Sequence, residues 1–172
     1  FNINTETFVS RNLSRETISY TVAIKKHEDS IKVLQATKLI DASGDIVEEF
    51  SMVKNLIILH SCCKRAFLRG AFLAAGSISN PEKSYHIEIV CAGGRKAEQI
   101  KNIINSFGLD AKVIIRKKSY VVYIKEAAQI VDLLNVMEAT NALMDMENIR
   151  ILKEIRNTVN RKVNCETANI NK

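Results

Sequence analysis

The stretch Cys62-Cys63-Lys64-Arg65-Ala66-Phe67-Leu68-Arg69-Gly70-Ala71-Phe72-Leu73-Ala74-Ala75-Gly76-Ser77 decides how the chain is read. It predicts one helix. Ala66, Gly70 and Ala74 recur at i, i+4 and i+8, a stripe of three small side chains on one face. A glycine inside a helix costs about 1 kcal/mol relative to alanine. That cost makes sense where a second helix approaches backbone to backbone, so these three residues are the expected helix–helix interface. An ordinary Ala-rich core helix is the plainer alternative. Gly76 is expected to stop the helix.

Downstream, Ser84 to Cys91 alternates polar and apolar residues and predicts a strand. Tyr85, Ile87 and Ile89 fall on one face, His86 and Glu88 on the other. Gly93-Gly94 breaks it, more as a turn than as a phosphate cradle. Ala97, Ile100, Ile103, Ile104 and Phe107 then recur at helical spacing, and Gly108 closes the helix. Lys112 to Arg116 and Tyr120 to Ile124 predict two strands joined by a tight turn at Lys117-Lys118-Ser119. Helices follow, one with Ala127, Ile130, Val131 and Leu134 buried, another over about 142–159 with Leu143, Met146, Ile149, Ile151 and Ile155 inward.

Upstream, the same plan recurs. Ser19 to Lys25 lines up with Ser119 to Lys125, Phe8 to Arg11 with Val113 to Arg116, and Phe1-Asn2-Ile3-Asn4 with Tyr85-His86-Ile87-Glu88. This predicts an internal duplication of a strand–helix–hairpin–helix unit. The first copy lacks the segment between strand and hairpin, so residues of a complete repeat are expected to be missing after Glu6. The expected organisation is a partial first repeat at 1–60 and a second repeat at 61–160. The Asn-rich residues 161–172 are read as the start of a linker.

The chain has 172 residues, one Pro and no Trp, with 47% hydrophobic and 26% charged residues. These proportions exclude collagen, Pro-rich linkers and disordered tails. No apolar run approaches the roughly 18 residues of a membrane span, and no basic-then-apolar leader precedes the first polar residues. Residues 1–60 hold seven Lys/Arg and eight Asp/Glu, residues 61–172 eighteen and eleven. The excess of positive charge points to a polyanion, nucleic acid first; a solvated surface is the bland alternative. His60-Ser61-Cys62-Cys63 looks ligand-rich but lacks a second spaced pair, so no metal site is expected and the four cysteines are read as reduced thiols.

Leu68 to Gly76 resembles the LAGLIDADG helix of homing endonucleases, with Gly70 and Gly76 at that motif's two glycines. The strings from Cys62 to Val90 and from Arg156 to Lys172 resemble the WhiA-like family of bacterial regulators, strongly over 61–172 and more weakly before. The resemblance implies an α+β, LAGLIDADG homing-endonuclease-like fold: two pseudo-symmetric repeats whose antiparallel sheets form a concave saddle over duplex DNA. It also implies a transcription factor linked to sporulation and cell division, cytoplasmic and nucleoid-associated, with a further C-terminal helix-turn-helix domain.

In the nucleases an acidic residue stands just before the last motif glycine and holds the divalent metal that cleavage requires. Here that position is Ala75, whose methyl group cannot ligate Mg²⁺, and the earlier acidic position is Leu73. No catalytic residue, metal or cofactor is therefore expected. An active nuclease or RNA maturase is the competing reading that Ala75 opposes. The expected DNA-contacting residues are His86, Lys112, Arg116, Lys117, Lys118, Tyr123 and Lys125 in the second copy, with Arg11 and Lys25 beside Asn2 and Asn4 in the first. Val113 and Ile115 are expected to point inward. The expected partner is double-stranded promoter DNA, with no membrane and no small-molecule substrate. The alternative is a protein-interaction scaffold for another regulator, with DNA binding left to the helix-turn-helix module.

Overall fold

A computed structural model describes residues 2–12, 14, 17–46 and 57–170. The chain divides into two compact units, Phe1–Ile57 and Ile58–Lys172.

The first unit holds a two-stranded antiparallel hairpin, β1 (Glu6–Asn12) and β2 (Thr17–Ala23), then helix α1 (His27–Ala36). Asn2 to Thr5 form no strand, so the expected mirror of the strand around Ile87 is not found there. β1 runs straight through Glu6 and Thr7. Phe8, Val9, Ile18, Tyr20 and Val22 are all largely exposed. Both faces of this hairpin carry apolar side chains, and among the described residues neither is closed over by a helix layer like that of the second unit.

The second unit begins with α2 (Ser61–Ala75), which passes directly into β3 (Gly76–Ile78). Gly76 does not stop the helix through a left-handed turn; its φ is −91° and the backbone is extended. Glycine is required because a Cβ there would lie 2.2 Å from Phe72 Cδ2. β4 (Ile87–Cys91), α3 (Gly94–Asn105), β5 (Lys112–Arg116), β6 (Ser119–Ile124), α4 (Ala127–Val136) and α5 (Thr140–Ile170) follow. The sheet is antiparallel with strand order β3-β4-β6-β5. Gly108, at φ +83°, takes the left-handed position that ends the turn after α3.

Ile87 and Ile89 of β4 and Val122 and Ile124 of β6 meet Ile104 of α3 and Leu133 of α4. All are buried, with Ala97, Ile100, Ile103 and Ile130. Fully burying one such aliphatic side chain is worth roughly 1.5–3 kcal/mol, and this layer is the core. Gly94 opens α3 because a side chain there would press on the Tyr120 ring at 3.0 Å.

Leu68, with no exposed surface, is the inward anchor of α2. The basic residues of the same helix staple it down. Arg65 donates to the carbonyls of Asn135 and Val136 at the end of α4, at 3.5 and 3.3 Å, where a cation meets the carbonyl end of a helix. Arg69 pairs with Glu138, and Lys64 donates to Ser106 Oγ at 3.2 Å. Phe107 lies past the end of α3, under the Arg65 guanidinium.

α5 is longer than its expected span. No Pro or Gly interrupts 140–170, and an asparagine costs well under 1 kcal/mol in a helix, so the Asn-rich segment stays helical. Met146 is buried and Lys153 donates to Pro81 O at 2.7 Å. Past Met146 the helix leaves the core: Ile151 and Ile155, expected inward, are exposed on either side of Lys153, as are Val159 and Val163 further on.

Candidate nucleic-acid interface

Directly opposed residues of an antiparallel pair share a face. Register therefore assembles Ser77, Glu88, Tyr123 and Lys112 into one row across all four strands, on the face turned away from α3 and α4. Val90, Val121 and Ile114 form the next row, and Ser119 and Arg116 a third.

Glu88 is the hub of this face. Arg116 grips it end-on, Nη1 at 3.2 Å from Oε1 and Nη2 at 3.1 Å from Oε2. His86 Nε2 lies 2.9 Å from Oε2, and Ser77 Oγ donates to Oε1 at 3.4 Å. The bond with His86 is the largest cause holding the Glu88 carboxyl below its ordinary range, against the opposing effect of burial and with help from Arg116. Arg116 opposes Ser119 while Glu88 opposes Tyr123, so the pair spans the row between them. That accounts for Val121 being 1% exposed while its row neighbours Val90 and Ile114 stand open at 40% and 48%.

Tyr123 is half-buried, its ring centroid 5.8 Å from that of His86 and 5.3 Å from the Lys125 ammonium. Lys112 is exposed, 3.5 Å from Asp110. A hollow of about 230 Å³ lies beside it, lined by Asp110, Lys112, Tyr123, Ile124, Lys125, Glu126 and Gln129. Lys117 and Lys118 form the exposed two-residue turn, Lys117 at φ +57°. Seven of the expected residues thus lie on or beside one sheet face and its hairpin tip.

Three expectations need correcting. Ile115 does not point into the core; it is 64% exposed, on the edge strand β5 and one residue from its hairpin end. Arg11 and Lys25 do not share a face. Arg11 opposes Ile18, whereas Lys25 pairs with Glu6 at 2.6 Å and lies over the Phe8 ring, on the other side of the hairpin. Asn2 and Asn4 precede β1 and belong to no strand.

The stripe Ala66, Gly70 and Ala74 is exposed. A Cβ on Gly70 would meet nothing within 4 Å, and neighbouring Leu73 is 85% exposed. Among the described residues no helix covers it. Ala75, at the last position of α2, is exposed too. Among the described residues no group of three or more His, Cys, Asp or Glu side chains is placed to hold a metal ion, and no helix is long and apolar enough to cross a membrane.

The role of Glu88 was hidden in the sequence. It lies 28 positions from Arg116, and only the strand order places the two together. A carboxylate alternating with buried isoleucines was the available sign that something on that face holds it.

Comparison with known proteins adds the family. Residues 64–156 match the profile of the WhiA LAGLIDADG-like domain. The chain is 51% identical to a probable cell division protein WhiA of Lachnoclostridium phytofermentans and 43% identical to that of Alkaliphilus oremlandii. Each alignment covers the whole chain but only 55% and 54% of the relative, so the chain spans about half their length. Among solved structures, full-length DUF199/WhiA from Thermatoga maritima superposes at a TM-score of 0.59 with 22% identity, over 95% of this chain and 49% of that one. The N-terminal LAGLIDADG domain of DUF199/WhiA superposes at 0.50 with 20% identity, over 77% and 60%. At these identities the structural likeness establishes the fold: α+β and LAGLIDADG-like.

Proposed function

We propose, from the premise that this chain belongs to the WhiA LAGLIDADG-like family, that it is a non-cleaving, DNA-facing domain of a transcription regulator acting in cell division and sporulation. It works in the cytoplasm, at the nucleoid, and its partner is duplex promoter DNA.

One observation carries this reading: Lys112, Arg116, Lys117, Lys118 and Lys125 decorate a single hairpin that also carries half-buried Tyr123, with His86 beside that ring just before the neighbouring strand. Cations at such a tip suit phosphates, and the mixed side chains behind them suit groove edges. Ala75, in the position where the nucleases place a metal-binding carboxylate, argues that contact is not followed by cleavage. Fluorescence anisotropy with labelled duplex DNA tests the binding. Affinity should fall steeply with salt as counterions compete. Incubation of supercoiled plasmid with Mg²⁺ tests the rest, and site-specific nicking would overturn it.

A second reading is a scaffold for another regulatory protein. It is favoured by exposed Val90 and Ile114 on the same face and by the engagement of Arg116 with Glu88. Absence of DNA binding even at low salt would move the weight to it.

A further inference from the structure

We infer that Glu88 is an internal counter-ion of this surface: its carboxylate occupies the Arg116 guanidinium, and an outside polyanion engages that group only by exchange. The inference rests on the DNA-facing reading of the sheet and adds what limits that contact.

The geometry is that of a held ion. The Glu88 side chain is 13% exposed and receives three partners, Arg116, His86 and Ser77. Arg116 keeps 57% of its side chain exposed. The guanidinium fork therefore has carboxylate on one edge and solvent around the rest. Carboxylate and phosphate both take such a fork in the same bidentate way, so exchange between them is like for like. Partial burial also spares the pair from much of the salt screening that weakens surface pairs. Lys117 and Lys118, one and two residues along, form no ion pair among the described residues and are exposed at the tip. The hairpin thus offers two free point charges for loose attraction and one planar fork already engaged. Removing the carboxylate should free the fork.

The test measures duplex DNA binding by the whole chain and by its Glu88→Gln, Arg116→Gln and double variants, between about 50 and 200 mM salt. Glu88→Gln should bind about tenfold tighter at the lower salt, with a salt slope steeper by about one. Arg116→Gln in the Glu88→Gln background should cancel the gain. Arg116→Gln alone should weaken binding by a smaller factor than Lys117→Gln does, an arm that does not depend on the Glu88 variant folding; an equal or larger factor for Arg116→Gln overturns the inference. Equal or weaker binding by folded Glu88→Gln also overturns it and makes Glu88 a positioning group for Arg116. A second probe separates this from failure of the DNA reading: inorganic pyrophosphate, followed by the NMR signal of Arg116 Nε. If neither protein binds DNA but pyrophosphate moves that signal in Glu88→Gln alone, the counter-ion role stands and the DNA reading falls. If neither probe distinguishes the two proteins, the counter-ion role is overturned.

Discussion

Ser19-Tyr20-Thr21-Val22-Ala23-Ile24-Lys25 and Ser119-Tyr120-Val121-Val122-Tyr123-Ile124-Lys125 share five of seven residues, and both form the second strand of a hairpin. Val22 is 64% exposed; Val122 is 1% exposed. The difference comes from what surrounds each strand. β6 lies between β4 and β5 with α3 and α4 over its apolar face, whereas β2 has a single strand partner among the described residues. The hairpins also close differently. In the second, Arg116 opposes Ser119 across a two-residue turn; in the first, Ser19 opposes Ser10, and Arg11 has slipped to Ile18. A slip of one residue sends a side chain to the opposite face. Near-identical strings therefore end as a core strand under a polar surface in one unit and a two-sided exposed ribbon in the other.

The sharpest way to break this comparison is one substitution made twice. Val122→Ala should destabilise the second unit by about 2 kcal/mol, the lost transfer energy plus an imperfectly closed cavity. Val22→Ala should change stability by less than about 0.5 kcal/mol. Urea denaturation with hydrogen exchange read separately on each unit checks both, and equal costs would mean that the first hairpin is covered in solution.

The two turns come next. Lys117 holds φ +57°, where a residue with a Cβ is disfavoured by about 1–2 kcal/mol. Lys117→Gly should raise the melting temperature, by an amount corresponding to about 0.5–1 kcal/mol. The same comparison applies to binding. Replacing Lys117 and Lys118 together with alanine should flatten the salt slope of DNA binding by about two, whereas Arg11→Ala should change it by less than one.

The smallest expected effect is on pH. Glu88 has its carboxyl held below the ordinary value of 4.5, chiefly by His86. A depressed carboxyl contributes stability that is present above its unfolded value and lost as pH falls through the folded one. Acid denaturation of the second unit should therefore begin at higher pH in wild type than in Glu88→Gln, relative to each protein's stability at pH 7. The aligned position in the first copy is Asn4, which does not titrate, so the first unit should show no matching difference on Asn4→Ala. Denaturant midpoints at pH 7, 5 and 3 read this out.

Much of the second unit was legible because its signals are local. Apolar spacing marked α3 and α4, Gly108 marked a left-handed turn, and the paired lysines marked the hairpin. Ile115 was misread because alternation describes an infinite, evenly covered strand, while β5 is a short edge strand and Ile115 lies next to its last residue. Ile151 and Ile155 were misread because an amphipathic stripe does not reveal where the body beneath it stops.

Sequence by itself determined the helix of small residues, the strands around it, the positive charge of the hairpin and the methyl group at Ala75. Each depends on residues within a turn or two of one another, where backbone geometry sets the spacing. Tertiary structure alone decided that Glu88 would hold Arg116, that Arg11 and Lys25 would part company, and that Val122 would be buried where Val22 is not. Those outcomes depend on strand order and register, which place residues tens of positions apart within hydrogen-bonding reach and which no local pattern encodes.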